Sequence, residues 1–143
     1  MKTIGQILRN GLGTVIRVRP TESVFHALEL MAEHDVGAVL VMEDDALLGI
    51  LTERDYARKV ALNRRISETT CVSEIMTSRV YCATPYMTLD RAMAMASERN
   101  VRHLPVSDIG KKVIGVISTR DLIREKLAEQ SFVIEQLEQY ITA

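Results

Sequence analysis

Apolar positions recur along this chain at two spacings. Val24, Ala27, Leu28 and Met31 follow i, i+3, i+4, i+7, and so do Leu89, Ala92, Met93 and Ala96; both runs predict amphipathic helices. The stretch Thr21-Glu22-Ser23 offers an N-cap for the first and Thr88 for the second. Short β-rich runs follow at 38–42 and 104–106. Each leads through a polar turn (43–45, 108–112) into a second strand, 47–51 or 113–117. A further helix is expected to start near Glu53 and near Thr119. A short strand, 14–18 or 79–83, precedes each first helix. The tail places Ile134, Leu137 and Ile141 on one face and Glu135, Glu138 and Gln139 on the other. It is expected as a separate short amphipathic helix that covers its own core or touches a second copy.

The two runs belong to an internal repeat. Pro20 recurs as Pro85, 65 positions on, and residues 24–31 answer to 89–96 at the same offset. Val36-Gly37-Ala38-Val39-Leu40-Val41 answers to Val101-Arg102-His103-Leu104-Pro105-Val106. After one inserted residue, GILTERD (49–55) matches GVISTRD (115–121). Ile7-Leu8 before Val15-Ile16 loosely matches Ile75-Met76 before Val80-Tyr81. Each copy therefore reads β-α-β-β-α. A unit of about 60 residues buries too little apolar surface to stand alone. The expected fold is α+β: two repeats, residues 1–66 and 67–130, packed sheet to sheet about a pseudo-twofold, with the helix 131–143 after them. Such packing leaves two equivalent clefts between the halves, where ligands commonly bind.

Composition narrows the functional classes. The chain has 143 residues, with 18 Lys+Arg against 19 Asp+Glu and a net charge of −1. No global attraction to nucleic acid follows from that balance. Trp is absent, and four Tyr with two Phe are too few for a row of base-stacking platforms. Cys71 and Cys82 lie in no metal-clip spacing, so they read as small packed thiols of an intracellular protein. With no secretory h-region and no apolar run long enough to span a bilayer, a soluble cytoplasmic chain is expected.

The repeated chemistry sits in the turn Gly-x-x-(Thr/Ser)-x-Arg-Asp: Gly49, Thr52, Arg54 and Asp55, then Gly115, Ser118, Arg120 and Asp121. Thr52 to Asp55 and Ser118 to Asp121 have the spacing of helix capping boxes, and capping alone explains either one. The same arrangement also suits a ligand. A helix N-terminus attracts anions, an Asp carboxylate accepts from a diol such as a ribose 2′,3′-pair, and Arg adds a charge-assisted phosphate contact.

With Pro20 and Pro85, the 36–38 and 101–106 strands and the two Asp-bearing turns, residues 4–126 resemble a tandem pair of CBS domains (the cystathionine β-synthase domain). The stretch 53–59 and the tail 134–138 resemble stand-alone bacterial two-CBS proteins. The resemblance implies a non-enzymatic regulatory module that binds an adenine nucleotide (AMP, ADP, ATP or NAD(H)) between its repeats and needs no further cofactor. It implies that Ser118 and Asp121 pair with backbone around Gly13, Thr14 and Val36, Gly37 and Ala38. Thr52 and Asp55 would pair with Ser78, Arg79 and the strand from Val101 through Arg102 to His103. Because Arg102-His103 stands where the first copy has Gly37-Ala38, the groove at Asp121 is the expected phosphate site. A homodimer acting on an unknown partner protein is also implied.

Other chemistry finds little support. His26 and His34 are eight apart with no HExxH, Asp44-Asp45 lacks the other ligands of a calcium loop, and no nucleophile–base motif or Gly-rich phosphate loop is present. The basic run Arg54, Arg58, Lys59, Arg64, Arg65 reads as solvated helix surface, and the seven Met as core filler. Three alternatives remain beside the sensor: an enzyme using Asp55 or Asp121 as base, a nucleic-acid binder, and a ligand-free adaptor dimer whose turns are only caps.

Overall fold

The computed structural model describes residues 2–9 and 15–142. Its elements run α1 (Ile4–Arg9), β1 (Arg17–Val18), α2 (Val24–His34), β2 (Ala38–Glu43), β3 (Ala46–Thr52) and α3 (Glu53–Asp55). A π-helical stretch, Tyr56–Ala61, continues α3. Then come α4 (Val72–Ile75), α5 (Leu89–Arg99), β4 (His103–Ser107), β5 (Val113–Ser118) and α6 (Thr119–Thr142). The two long internal helices form where the apolar spacing puts them. Ser23 caps α2 by accepting from the His26 amide, and Thr88 caps α5 by accepting from the Arg91 amide. Both helices end on a left-handed residue, Asp35 (φ 51°) and Asn100 (φ 51°), short polar side chains that tolerate that region.

In the first half β1 pairs parallel with β2, and β2 antiparallel with β3. In the second half only β4 and β5 form a sheet. The strand expected at 79–83 reduces to one parallel bridge, Ala83 to Val106, and the strand expected at 14–18 to Arg17–Val18. Each half has its own apolar core, and a third cluster joins them. Leu40, Met42 and Ile50 of the first sheet pack there with Val113 and Val116 of β5, so the sheets face each other as expected.

The short helices α1 and α4 cross between the halves. Ile4 and Ile7 of α1 are fully buried in the second core, beside Leu89, Leu104 and Ile117. Val72 and Ile75 of α4 lie in the first core, beside Val24, Val39 and Leu51. The backbone bonds repeat the exchange: the Ile4 and Gly5 amides donate to Met87 and Pro85, and the Val72 and Ser73 amides donate to Glu22 and Pro20. The repeated prolines thus turn their carbonyls toward the other half's lead-in helix. A unit too small to close its own core is completed by its neighbour.

The separate tail helix is corrected. α6 runs unbroken for 24 residues from Thr119 to Thr142, since no Gly or Pro interrupts it.

Candidate functional site

Both Asp-bearing turns fold as capping boxes at the end of a strand. Thr52 Oγ1 accepts from the Asp55 amide at 3.1 Å, and Asp55 Oδ2 accepts from the Thr52 amide and hydroxyl, each at 3.1 Å. Ser118 and Asp121 repeat this, with 3.0 Å from the Ser118 amide and 2.8 Å from its hydroxyl to Asp121 Oδ2. The next residue anchors each turn to the facing strand: the Glu53 amide donates to the Gly37 carbonyl and the Thr119 amide to the Arg102 carbonyl. Strand register therefore sets Ala38 beside Thr52 and His103 beside Ser118.

Each turn opens on a crevice between the halves. The first, about 390 Å³, is lined by Thr52, Glu53, Arg54 and Asp55 of one repeat, and by Thr77, Arg79, Val80, Tyr81 and residues 99–103 reaching from the other. The second, about 740 Å³ and more open, is lined by Ser118, Thr119, Arg120, Asp121 and Arg124, facing His34, Asp35, Val36 and Gly37. Val101 lines the first crevice and Arg102 and His103 line both, whereas Ser78 and Ala38 line neither. Gly13 and Thr14, the remaining expected residues, lie outside the described residues.

The two carboxylates differ. An ionised carboxylate has about four lone-pair sites. At Asp55, 8% exposed, four donors fill them: the two Thr52 groups on Oδ2, then the Thr77 hydroxyl and Lys59 Nζ, each 3.1 Å from Oδ1. The π-helical stretch carries Lys59, which also donates to the Ile75 carbonyl at 3.0 Å. At Asp121 only Oδ2 is engaged; among the described residues Oδ1 accepts no hydrogen bond. Residue 125, which answers to Lys59, is Glu, and it binds Lys2 at 3.1 Å instead.

The basic groups are distributed otherwise than expected. Arg102 and His103 do not single out the Asp121 crevice. Arg54, Arg79, Arg99 and Arg102 line the Asp55 crevice against Glu53 and Asp55, while the Asp121 crevice sets Arg102, Arg120 and Arg124 against Asp35, Glu53 and Asp121. The surplus of positive charge is thus on the Asp55 side. Arg99 is held there by stacking over the Tyr81 ring at 4.8 Å. Sequence spacing missed Thr77, Tyr81, Arg99 and Asn100, which sit outside the repeated turn. The αL-capping Asn100 at the end of α5 was the one local signal of a surface corner there.

His103 sits between the crevices. Burial pushes its pKa down, Asp121 and Glu53 pull it back up, and Arg102 lowers it further. A Cβ at Gly37 would lie 3.0 Å from Glu53 Oε1 and 3.4 Å from His103 Nε2. The absent side chain at 37 leaves room for both. No group of His, Cys, Asp and Glu suited to a metal occurs among the described residues. Both cysteines are free, and burial raises the Cys82 pKa. No described helix is long and apolar enough to cross a membrane.

Two related halves, closed by exchanged lead-in helices and flanking two crevices, define a paired-repeat module. The CBS domain model matches the chain twice, at residues 7–62 and 72–128, and the chain belongs to the CBS domain family. It is 37% identical over 125 residues to the mitochondrial CBS domain-containing protein CBSX3 of Arabidopsis thaliana, covering 84% of this chain but 60% of that protein. A protein with CBS domains from Burkholderia ambifaria shares the structure at 45% identity and a TM-score of 0.85, over 90% of this chain and 96% of that one. The CBS domain pair of protein MJ0100, solved in complex with 5′-methylthioadenosine and S-adenosyl-L-methionine, shares the fold at 24% identity and a TM-score of 0.78, over 90% and 98% of the two chains.

Proposed function

We propose that this CBS pair is a cytoplasmic, non-catalytic sensor that binds an adenine nucleotide in the crevice at Asp121. One observation carries the reading: Asp121 Oδ1 is open beside a cavity of about 740 Å³, while its repeat-related counterpart is saturated. Two open lone-pair sites match the two hydroxyls of a ribose 2′,3′-diol. Arg102, Arg120 and Arg124 supply the charge for phosphate. The Asp55 crevice, richer in Arg but with no free acceptor, suits an anionic group better than a diol. Ligand bridging the halves stabilises their closed packing, and a partner protein that prefers one packing then responds to nucleotide level.

Calorimetric titration with AMP, ADP, ATP and NAD(H) tests the reading. Heat of binding with at least one of them, lost in Asp121→Ala, supports it. Absence of both heat and thermal shift with all of them overturns it. Intact nucleotide recovered by chromatography after incubation separates a sensor from an enzyme.

A further inference from the structure

The two crevices are built from answering positions that carry different chemistry. Residues 34–37 line the Asp121 crevice and read His34-Asp35-Val36-Gly37. The answering residues, 65 positions on, line the Asp55 crevice and read Arg99-Asn100-Val101-Arg102. The exchange removes an acid and brings in two guanidiniums. Arg54 and Arg79 line the same crevice, so four Arg from three stretches of chain converge on about 390 Å³. None of the four forms an ion pair with a carboxylate among the described residues. Arg99 stacks over the Tyr81 ring instead. Of the two acids in the lining, Glu53 and Asp55, the second is already paired with Lys59. Like charges gathered around one cavity repel, and an anion between them turns that repulsion into charge-assisted bonds.

We propose that the Asp55 crevice is a diphosphate site, which takes two linked phosphoryl groups and reads no sugar. Each guanidinium fork engages a pair of oxygens, so four forks match two linked phosphoryl groups better than a single one. The helix start contributes little. The Glu53 amide is bonded to the Gly37 carbonyl and the Asp55 amide to Thr52 Oγ1, which leaves the binding to the Arg side chains. A sugar diol finds no acceptor at Asp55, because Thr52, Thr77 and Lys59 fill that carboxylate. The site is independent of the reading of Asp121, since no nucleotide is needed to occupy it.

Calorimetric titration of the full chain with sodium pyrophosphate, with no nucleotide present, tests the site. Sodium sulfate at matched ionic strength is the control for simple screening. Pyrophosphate should bind with a heat that sulfate does not reproduce. Arg79→Gln and Arg99→Gln, at exposed positions outside the lining of the Asp121 crevice, should each weaken it about tenfold or more through lost charged hydrogen bonds. Their melting temperatures should stay close to the parent's. Lys59→Met should weaken pyrophosphate too, because Asp55 then faces the anion with its charge unpaired. In amide NMR spectra Val80, Tyr81 and Asn100 should shift with pyrophosphate, while Arg120, Asp121 and Arg124 hold still. No binding at millimolar pyrophosphate, an equal response to sulfate, or shifts confined to Arg120, Asp121 and Arg124 overturns the proposal. Pyrophosphate bound here while every adenine nucleotide stays silent overturns the sensor reading and supports this one.

Discussion

Lys59 Nζ lies 3.1 Å from Asp55 Oδ1, one helical turn away, and with Thr77 it completes the bonding of a carboxylate whose twin, Asp121, keeps one oxygen without a hydrogen bond among the described residues. The repeats have therefore kept the same turn while separating its tasks. At Asp55 the carboxylate ties α3, the π-helical stretch and the linker at Thr77 together. At Asp121 it caps a helix and still faces a crevice.

The first prediction concerns the sugar. Asp121→Ala should weaken AMP binding by about 1–3 kcal/mol, roughly 5- to 150-fold, through lost hydroxyl bonds. AMP should bind the parent more tightly than 2′-deoxy-AMP, and Asp121→Ala should bind the two alike. Paired titrations read this directly. An undiminished preference for AMP in the variant places the diol elsewhere.

Removing the lysine should release the other carboxylate. In Lys59→Met, Asp55 Oδ1 loses one of its two donors, and the Arg-rich crevice beside it gains an acceptor. Titration of AMP should then show a second binding event, strengthened when Thr77→Val is added. The parent should show one diol-dependent site. Unchanged stoichiometry in both variants means that Lys59 does not close this crevice.

That closure was not legible in the sequence. The turn itself was, because a capping box is a matter of four adjacent residues and local chemistry decides it. So were α2 and α5, whose apolar spacing and caps are self-contained. Thr77 and Lys59 reach Asp55 from 22 and 4 residues away, and only the packing of the linker against β3 brings Thr77 there. The exchange of α1 and α4 was hidden for a similar reason. Each helix is four to six residues long, and its burial comes wholly from the opposite half. The continuity of α6 did leave a trace, the absence of Gly and Pro between 119 and 142, that the apolar spacing of the tail alone did not use.

Gly49 shows how tightly the linker is laid down. A Cβ there would meet the Thr77 carbonyl oxygen and Met76 Sδ, both at 2.8 Å, where Ile50 and Thr77 exchange backbone hydrogen bonds of 3.0 and 2.9 Å. Because backbone cannot swing aside as a flexible side chain can, Gly49→Ala should destabilise by about 1–3 kcal/mol. Gly37→Ala, which meets only the end of Glu53 and the His103 ring, should cost less. Urea denaturation of both variants measures the difference. Equal midpoints refute the constraint at Gly49.

The last prediction concerns pH. Burial holds the His103 pKa below its ordinary value of 6.5, against the pull of Asp121 and Glu53 and with the help of Arg102. Protonation is therefore easier in the unfolded chain. The stability from neutral His103 is fully present above the unfolded pKa of about 6.5 and is lost as pH falls toward the lower folded value. Phosphate in either crevice reverses the local balance, since an anion beside the ring favours imidazolium. Melting temperature without ligand should thus decline below about pH 6.5, and AMP affinity should rise over the same interval, with proton uptake on binding. In His103→Gln both slopes should flatten. Calorimetry in buffers of different ionisation enthalpy reads the proton directly, and binding that takes up no proton near pH 6 excludes His103 from the phosphate contact.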